Sequence, residues 1–279
     1  MLKPSELCEI RRLGKKIEIE TLRAIGGLGV GHIGGSLSIA DVLSVLYGKV
    51  MKFDPKNPRW TGRDWLVLSK GHAGPGLYSA LALSGFFPME ELSTLNRPGT
   101  RLPSHCDRNR TPGIDMTTGS LGQGSSLAAG VALSHKVDKM DNSIFLIMGD
   151  GELQEGQVWE MALFAAQQKL NNLIAFIDAN GMQVDGRLCD ICDMGDISGK
   201  FEEFGWNAQA VDGHDAAAIY EAIEEAKKSN DRPSVIVLKT IKAHGWHLMA
   251  GNPSSHNMPI TQEQMLTGIN EMEADLAKI

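Results

Sequence analysis

The sequence predicts a doubly wound parallel α/β sheet flanked by helices. Three observations carry this. Short, nearly unbroken apolar runs bounded by turn residues read as strands covered on both faces. Helical stretches alternate with them, the pattern of right-handed crossover units. Of the 279 residues, 42% are hydrophobic, enough for a substantial core, and no break in composition divides the chain. One large domain over residues 1–279 is therefore expected rather than two small ones.

The first element is an amphipathic helix over 5–28. Leu7, Ile10, Leu13, Ile17, Leu22, Ile25 and Leu28 recur mostly three to five apart. Pro4 opens it and the glycines at 26–31 close it. A second helix is expected over 38–50, with Ile39, Val42, Leu43 and Leu46 on one face. Strands follow at 65–68, 143–148, 173–178 and 234–239. Between and after them, helices are expected near 74–84, 123–138, 153–169, 215–229 and 261–277.

Charge excludes some classes of function. Lys and Arg total 27 against 34 Asp and Glu, a formal charge of −7. Such a chain has no electrostatic footprint for nucleic acid or for an anionic membrane surface. Arg101, Arg108 and Arg110 form too short a cluster to alter that and read as a solvated loop. The N-terminal segment MLKPSELCEIRRLGKK has no apolar core of a signal peptide. No apolar run approaches the ~18 residues of a membrane span. Four cysteines, Cys8, Cys106, Cys189 and Cys192, do not make a disulfide scaffold, and reduced thiols in the cytoplasm are expected.

The most informative segment is Gly149-Asp150-Gly151-Glu152, at the end of one strand. A helix and a second strand follow, then Asp178-Ala179-Asn180-Gly181. In a right-handed βαβ unit both strand ends reach the same sheet edge, so Asp150 and Asn180 converge. A carboxylate beside an amide oxygen makes a hard, oxygen-only site for Mg²⁺, with Ca²⁺ or Mn²⁺ as related ions. One backbone carbonyl would complete three protein ligands, leaving water and phosphate oxygens to fill the octahedron. Gly149 and Gly151 let backbone approach an anion closely, and the following helix would offer its first amides. Together these features describe a metal–diphosphate site.

These residues resemble a known family. GDG followed, after a hydrophobic strand, by Asn resembles the thiamine-diphosphate motif, and GDGELQEGQVWE resembles its transketolase version. Four further segments match in the family's order. They are Gly31-His32-Ile33-Gly34-Gly35-Ser36-Leu37, Ser69-Lys70-Gly71-His72-Ala73, Thr118-Gly119-Ser120-Leu121-Gly122-Gln123-Gly124 and Ser255-His256-Asn257-Met258-Pro259. The likeness covers the diphosphate-binding domain of a transketolase, with the corresponding thiamine-diphosphate fold.

The resemblance implies Asp150 and Asn180 as Mg²⁺ ligands, with the carbonyl of Met182 as the third. It implies that Gly151, Asn180 and His72 touch the diphosphate of thiamine diphosphate, and that Gly119, Ser120 and Leu121 line the cofactor. It places His32, His105 and His256 over the thiazolium, where a sugar or sugar phosphate binds, with His256 also near the diphosphate. Glu155 and Glu160 match acidic residues near a dimer interface. Imidazoles suit this chemistry, because moving a two-carbon ketol unit requires proton transfers near neutral pH. Several positions depart from the family pattern: Ser120 replaces Pro, Gly181 replaces Lys, Cys106-Asp107 replaces Pro-Glu, and Met182 is also unusual, although a backbone ligand tolerates a changed side chain.

Plainer readings stand beside these. Asp150 also reads as a helix cap, and Asn180-Gly181 as a turn, which is compatible with ligation. Glu155 and Glu160 also read as a solvated helix face. His135, His214, His244 and His247 lie outside the matched segments and read as surface or structural residues, with His244 and His247 the readiest exceptions. Gly29-Val30-Gly31-His32-Ile33-Gly34 fits a dinucleotide fingerprint but follows a helix rather than a strand. Cys189-Asp190-Ile191-Cys192 fits C-x-x-C without a second ligand pair, so it reads as incidental.

The family's cofactor-activating glutamate belongs to a pyrimidine-binding domain that follows the diphosphate-binding one. With Ile279 closely following the helix at 261–277, a separate C-terminal transketolase subunit is expected to supply it. A homodimer within an α₂β₂ assembly is then the natural expectation. Two other readings are a subunit of a different thiamine-diphosphate enzyme (1-deoxyxylulose-phosphate synthase-like or 2-oxoacid dehydrogenase E1-like) and a non-catalytic cofactor-binding regulatory module.

Overall fold

A computed structural model describes residues 2–184 and 186–279. Five parallel strands form the sheet: β1 (Trp65–Leu68), β2 (Ile144–Gly149), β3 (Leu173–Ala179), β4 (Asn207–Asp212) and β5 (Ser234–Lys239). Their spatial order is β1-β2-β3-β5-β4. The expected α/β sheet is present, with one strand more than the four expected. Strand β4 reads Asn-Ala-Gln-Ala-Val-Asp and lies at the sheet edge, paired on one side only. Its half-buried side chains give no apolar run to find.

Alternate residues of each strand feed two separate cores. Leu66, Leu68, Phe145, Ile147, Ile174, Phe176, Ile236 and Leu238 face one side. There they pack with helices α1 (Pro4–Leu28), α2 (Ala40–Val45), α3 (Gly74–Leu83), α7 (Ala216–Ala226) and α8 (Gln262–Leu276). Val67, Leu146, Met148, Ala175, Ile177 and Val235 face the other, against α4 (Gln123–Val137), α5 (Gly156–Gln167) and α6 (Ile197–Glu203). Burial on both faces explains why the strands read as continuous apolar runs.

Two segments differ from expectation. The helix expected over 38–50 is broken: a turn at Gly34–Leu37 leads to α2, which continues as wider π turns over Leu46–Val50. The helix expected over 153–169 begins later, at Gly156, after a 3₁₀ turn over Gly151–Gln154. Its first amides therefore do not lie directly behind the Gly-Asp-Gly turn.

No described helix is long and apolar enough to cross a membrane. Among the described residues a short antiparallel pairing has particular consequence. Val30–Gly31 pairs with Met258–Pro259, tying the segment after α1 to the one before α8. His32 follows one partner and His256 precedes the other, so this small ladder brings them together.

Candidate active site

The carboxyl ends of the strands converge on a cleft of about 330 Å³. This is where an open α/β sheet binds ligands. Asp150 follows β2, Asn180 follows β3, Lys70 and His72 follow β1, and Lys242 follows β5. All five line the cleft, with Gly119, Leu121, Gly151, Glu155, Met182, His32, His105 and His256. Ser120 and Glu160 are exposed and lie outside its lining, and Glu160 sits on α5.

Four imidazoles form one cluster. The ring of His32 lies 5.3 Å from His72, 5.6 Å from His105 and 5.3 Å from His256, with His72 and His256 5.1 Å apart. Burial, reinforced by the positive charge of Lys70 and by the neighbouring imidazoles, lowers the His72 pKa to about 2. Burial also lowers the pKa of His32, with His105 adding to it, and that of His105. At neutral pH these three rings are uncharged, each with one N–H donor and one acceptor nitrogen.

Beneath them is an ionic network with Asp178 at its centre. Asp178 is fully buried and accepts hydrogen bonds from Lys70 Nζ (2.6 Å), Ser38 Oγ (2.7 Å), Asn180 Nδ2 (2.9 Å) and Thr240 Oγ1. Burial alone would raise its pKa, but Lys70 and these hydrogen bonds hold it below the usual carboxylate range. Lys70 also donates to the carbonyl of Gly35, at 2.8 Å.

Asp150 is buried nearby and makes no ion pair among the described residues. Its carboxylate accepts from the backbone amides of Gly151 (2.8 Å) and Gly181 (2.6 Å). Burial, then repulsion from Asp178, pushes its pKa up to about 7, against the pull of those amides and of Lys70. Asn180 spends its amide nitrogen on Asp178, while its Oδ1 accepts from the Met182 amide at 3.1 Å. The turn depends on Gly181, whose φ of +73° lies in the left-handed region.

Among the described residues Asp150 makes no ion pair, whereas Asp178 is paired with Lys70. Asp150, Asn180 and Met182 present oxygen atoms on the same lining. An under-compensated carboxylate within an all-oxygen donor set fits a hard divalent cation.

Glu152, also buried, joins two walls of the cleft. It accepts from Ser69 Oγ and from the amides of Gly122 (2.8 Å) and Gly149 (3.1 Å). Gly71 allows the close approach this needs, since a Cβ there would lie 2.7 Å from the Thr118 carbonyl.

Sequence reasoning assigned no role to Lys70, Asp178, Glu152, Thr240 or Lys242. Lys70 lay within a matched segment. For Asp178 the available signal was an acidic residue ending an otherwise apolar strand, two positions before Asn180.

The remaining histidines and cysteines lie outside the cleft lining. His214 Nδ1 meets Asp41 at 2.9 Å, and its Nε2 accepts from the Ile241 amide at 2.8 Å, so both ring nitrogens are engaged. His244 stacks on it at 3.5 Å. Cys189 and Cys192 are exposed free thiols at a short turn, Leu188–Ile191, beside the cleft. The Gly-x-Gly-x-x-Gly segment follows helix α1, which lacks the strand a dinucleotide site requires.

Comparison with known proteins agrees with this geometry. The family model described as transketolase, thiamine diphosphate binding domain, matches residues 11–273. The chain is 54% identical over 255 residues to the 6-deoxy-6-sulfo-D-fructose transketolase subunit SqwG of Clostridium sp. (strain MSTE9), covering 91% of this chain and 93% of that one. It is 34% identical over 249 residues to one subunit of the apulose-4-phosphate transketolase of Phocaeicola vulgatus, covering 89% of this chain and 88% of that one. Its fold matches the Leishmania mexicana transketolase structure with a TM-score of 0.89 at 28% identity. That match covers 96% of this chain but 41% of the other.

Proposed function

The chain belongs to the transketolase family as its thiamine-diphosphate-binding domain, and we propose that it works as one chain of a two-chain, metal-dependent transketolase. The observation that carries this is the single cleft in which four histidines meet the Asp150, Asn180 and Met182 oxygens. All of residues 1–279 serve as the diphosphate-binding domain.

In this reading Asp150, Asn180 and the Met182 carbonyl hold Mg²⁺, Ca²⁺ or Mn²⁺ against the diphosphate. Gly151, Asn180 and His72 contact the diphosphate, with Gly119, Ser120 and Leu121 along the cofactor. When bound, thiamine diphosphate supplies the nucleophilic carbon that accepts the two-carbon ketol unit. His72, held neutral far below physiological pH, acts as a hydrogen-bond partner rather than a proton store. His32, His105 and His256 face the sugar, where imidazoles bind hydroxyls and pass protons.

Two relatives that this chain spans almost end to end are named as subunits, which supports a separate C-terminal partner bearing the pyrimidine-binding domain. Exposed Leu127, Leu163 and Phe164 lie on α4 and α5, the latter also carrying Glu160. This weakly charged face suits pairing with a second copy within an α₂β₂ assembly, with Glu155 and Glu160 near that contact. Four free cysteines agree with a reducing, cytoplasmic setting.

For the donor we favour a ketose with an anionic C6 substituent, a 6-sulfonated ketose first. The 54% identity to the sulfofructose enzyme's chain, against 34% to the apulose-4-phosphate one, supports that order. The test is to purify the chain with and without its companion and to screen sulfonated, phosphorylated and free ketoses. Turnover is expected only with both chains, near one-to-one stoichiometry. A normal rate from the 279-residue chain alone refutes the two-chain reading.

A further inference from the structure

At the opposite, amino end of β1 lies a second cavity, of about 710 Å³. Arg59, Arg63, Arg108 and Arg110 border it against one carboxylate, Asp115. In sequence, Arg101, Arg108 and Arg110 looked like one solvated cluster. The fold instead pairs Arg101 with Glu91 and sets Arg108 and Arg110 beside Arg59 and Arg63.

We propose that this cavity is a second ligand site, separate from the cofactor cleft, which takes a small oxyanion such as a phosphate, sulfate or sulfonate group. Charge is the first ground. Arg63 Nη2 neutralises Asp115 at 2.6 Å, and its Nη1 donates to the Asp64 carbonyl at 3.0 Å. Its Nε is buried without an acceptor among the described residues. Arg110 reaches Asp107 only at 3.4 Å. Among the described residues the side chains of Arg59 and Arg108 make no hydrogen bond or ion pair. The lining thus carries an excess of positive charge in a chain of net −7. Clustered like charges repel, and a bound oxyanion relieves that repulsion.

Geometry adds to charge. The guanidinium carbons of Arg63 and Arg108 lie 4.6 Å and 5.9 Å from the ring centre of Trp65. A stacked guanidinium keeps its in-plane N–H donors free and loses little freedom on meeting an anion. The loop that carries Arg108 and Arg110 is braced rather than loose. Asp115 accepts from the Leu66 amide at 2.8 Å, and Thr118 Oγ1 donates to the Leu68 carbonyl at 2.6 Å. These features describe a held set of donors around an open volume.

The test uses the chain saturated with thiamine diphosphate and Mg²⁺, so that the cleft is filled. Inorganic phosphate and a hexose 6-phosphate are titrated separately by calorimetry, which distinguishes a free ion from a phosphorylated sugar as the occupant. Saturable binding of at least one is expected. The Arg59→Ala/Arg108→Ala variant should weaken it about tenfold or more, as expected for losing charge-assisted hydrogen bonds, at an unchanged melting temperature. Arg108→Gln, a single replacement at an exposed position, serves if the double variant does not fold. Arg101→Ala, which removes the arginine paired with Glu91, should leave binding unchanged. Absence of saturable binding at millimolar concentrations overturns the proposal. So does binding that survives loss of both arginines, or binding that disappears in Asp150→Ala, which would place the anion in the cleft.

Discussion

Replacing Asp150 by Asn should move stability and cofactor binding in opposite directions. Burial, then repulsion from Asp178, pushes the Asp150 carboxyl up to about 7 from an ordinary 3.8. The folded state therefore binds this proton more tightly than the unfolded chain. Stability contributed by the group is full below about pH 4 and is lost as pH rises toward 7. A rise from 3.8 to about 7 corresponds to roughly 4 kcal/mol as an upper figure. Asn carries no charge, so the variant escapes this penalty. Its amide nitrogen, however, faces one of the two backbone N–H groups that Asp150 accepts, from Gly151 or Gly181. An unsatisfied buried donor costs about 1–3 kcal/mol. The balance leaves Asp150→Asn roughly 1–3 kcal/mol more stable at pH 8 without ligands, and close to or below wild type at pH 5. Removing the carboxylate should also weaken metal-dependent thiamine diphosphate binding by at least ~2 kcal/mol, about 30-fold. Denaturant unfolding at pH 5 and 8 measures the first effect, and calorimetry with and without chelator the second. A variant less stable than wild type at pH 8, or one that retains metal-dependent affinity, would refute the account of Asp150 as a buried charge awaiting a cation.

Other consequences follow from the same cleft. Lys70→Met strands the buried Asp178 carboxylate and should cost about 3–5 kcal/mol by chemical denaturation, with Asp178→Asn in the same chain restoring much of the loss. His32→Ala should lower kcat/KM by roughly 10²–10⁴-fold in steady-state assays of the two-chain enzyme while leaving cofactor affinity nearly unchanged. Gly181→Ala meets nothing within 4 Å and should cost only the strain of φ +73°, about 1–2 kcal/mol in thermal unfolding. Gly71→Ala forces a Cβ to 2.7 Å from the Thr118 carbonyl and should cost more than Gly181→Ala in the same measurement, with loss of cofactor binding.

Some of this arrangement was legible in the sequence because both signals involved are local. An apolar run buried on both faces marks a strand without reference to its neighbours, as at β2 and β3. The Gly-Asp-Gly turn and the later Asn180 mark oxygen donors at strand ends, and handed crossovers bring such ends to one edge. Edge strand β4 stayed hidden because pairing on a single side leaves it half-exposed, without an apolar run. The helix expected over 38–50 broke because apolar periodicity counts side chains and does not register a backbone change near Ser38.

The ionic layer under the histidines was harder to see for a different reason. Lys70, Asp178, Glu152 and Thr240 come from four separate strand ends, and each is an ordinary residue in its own segment. Their meaning lies in how they are paired. Asp178, at the end of β3, is ionised because Lys70, from the end of β1, reaches it across the intervening strand. With Lys70 bonded there, Asp150 makes no ion pair among the described residues, which suits it to the divalent metal proposed for this cleft. A sequence motif can name Asp150 as a candidate ligand. That Asp150 is held by backbone amides beside a second buried carboxylate, Asp178, follows only from the fold.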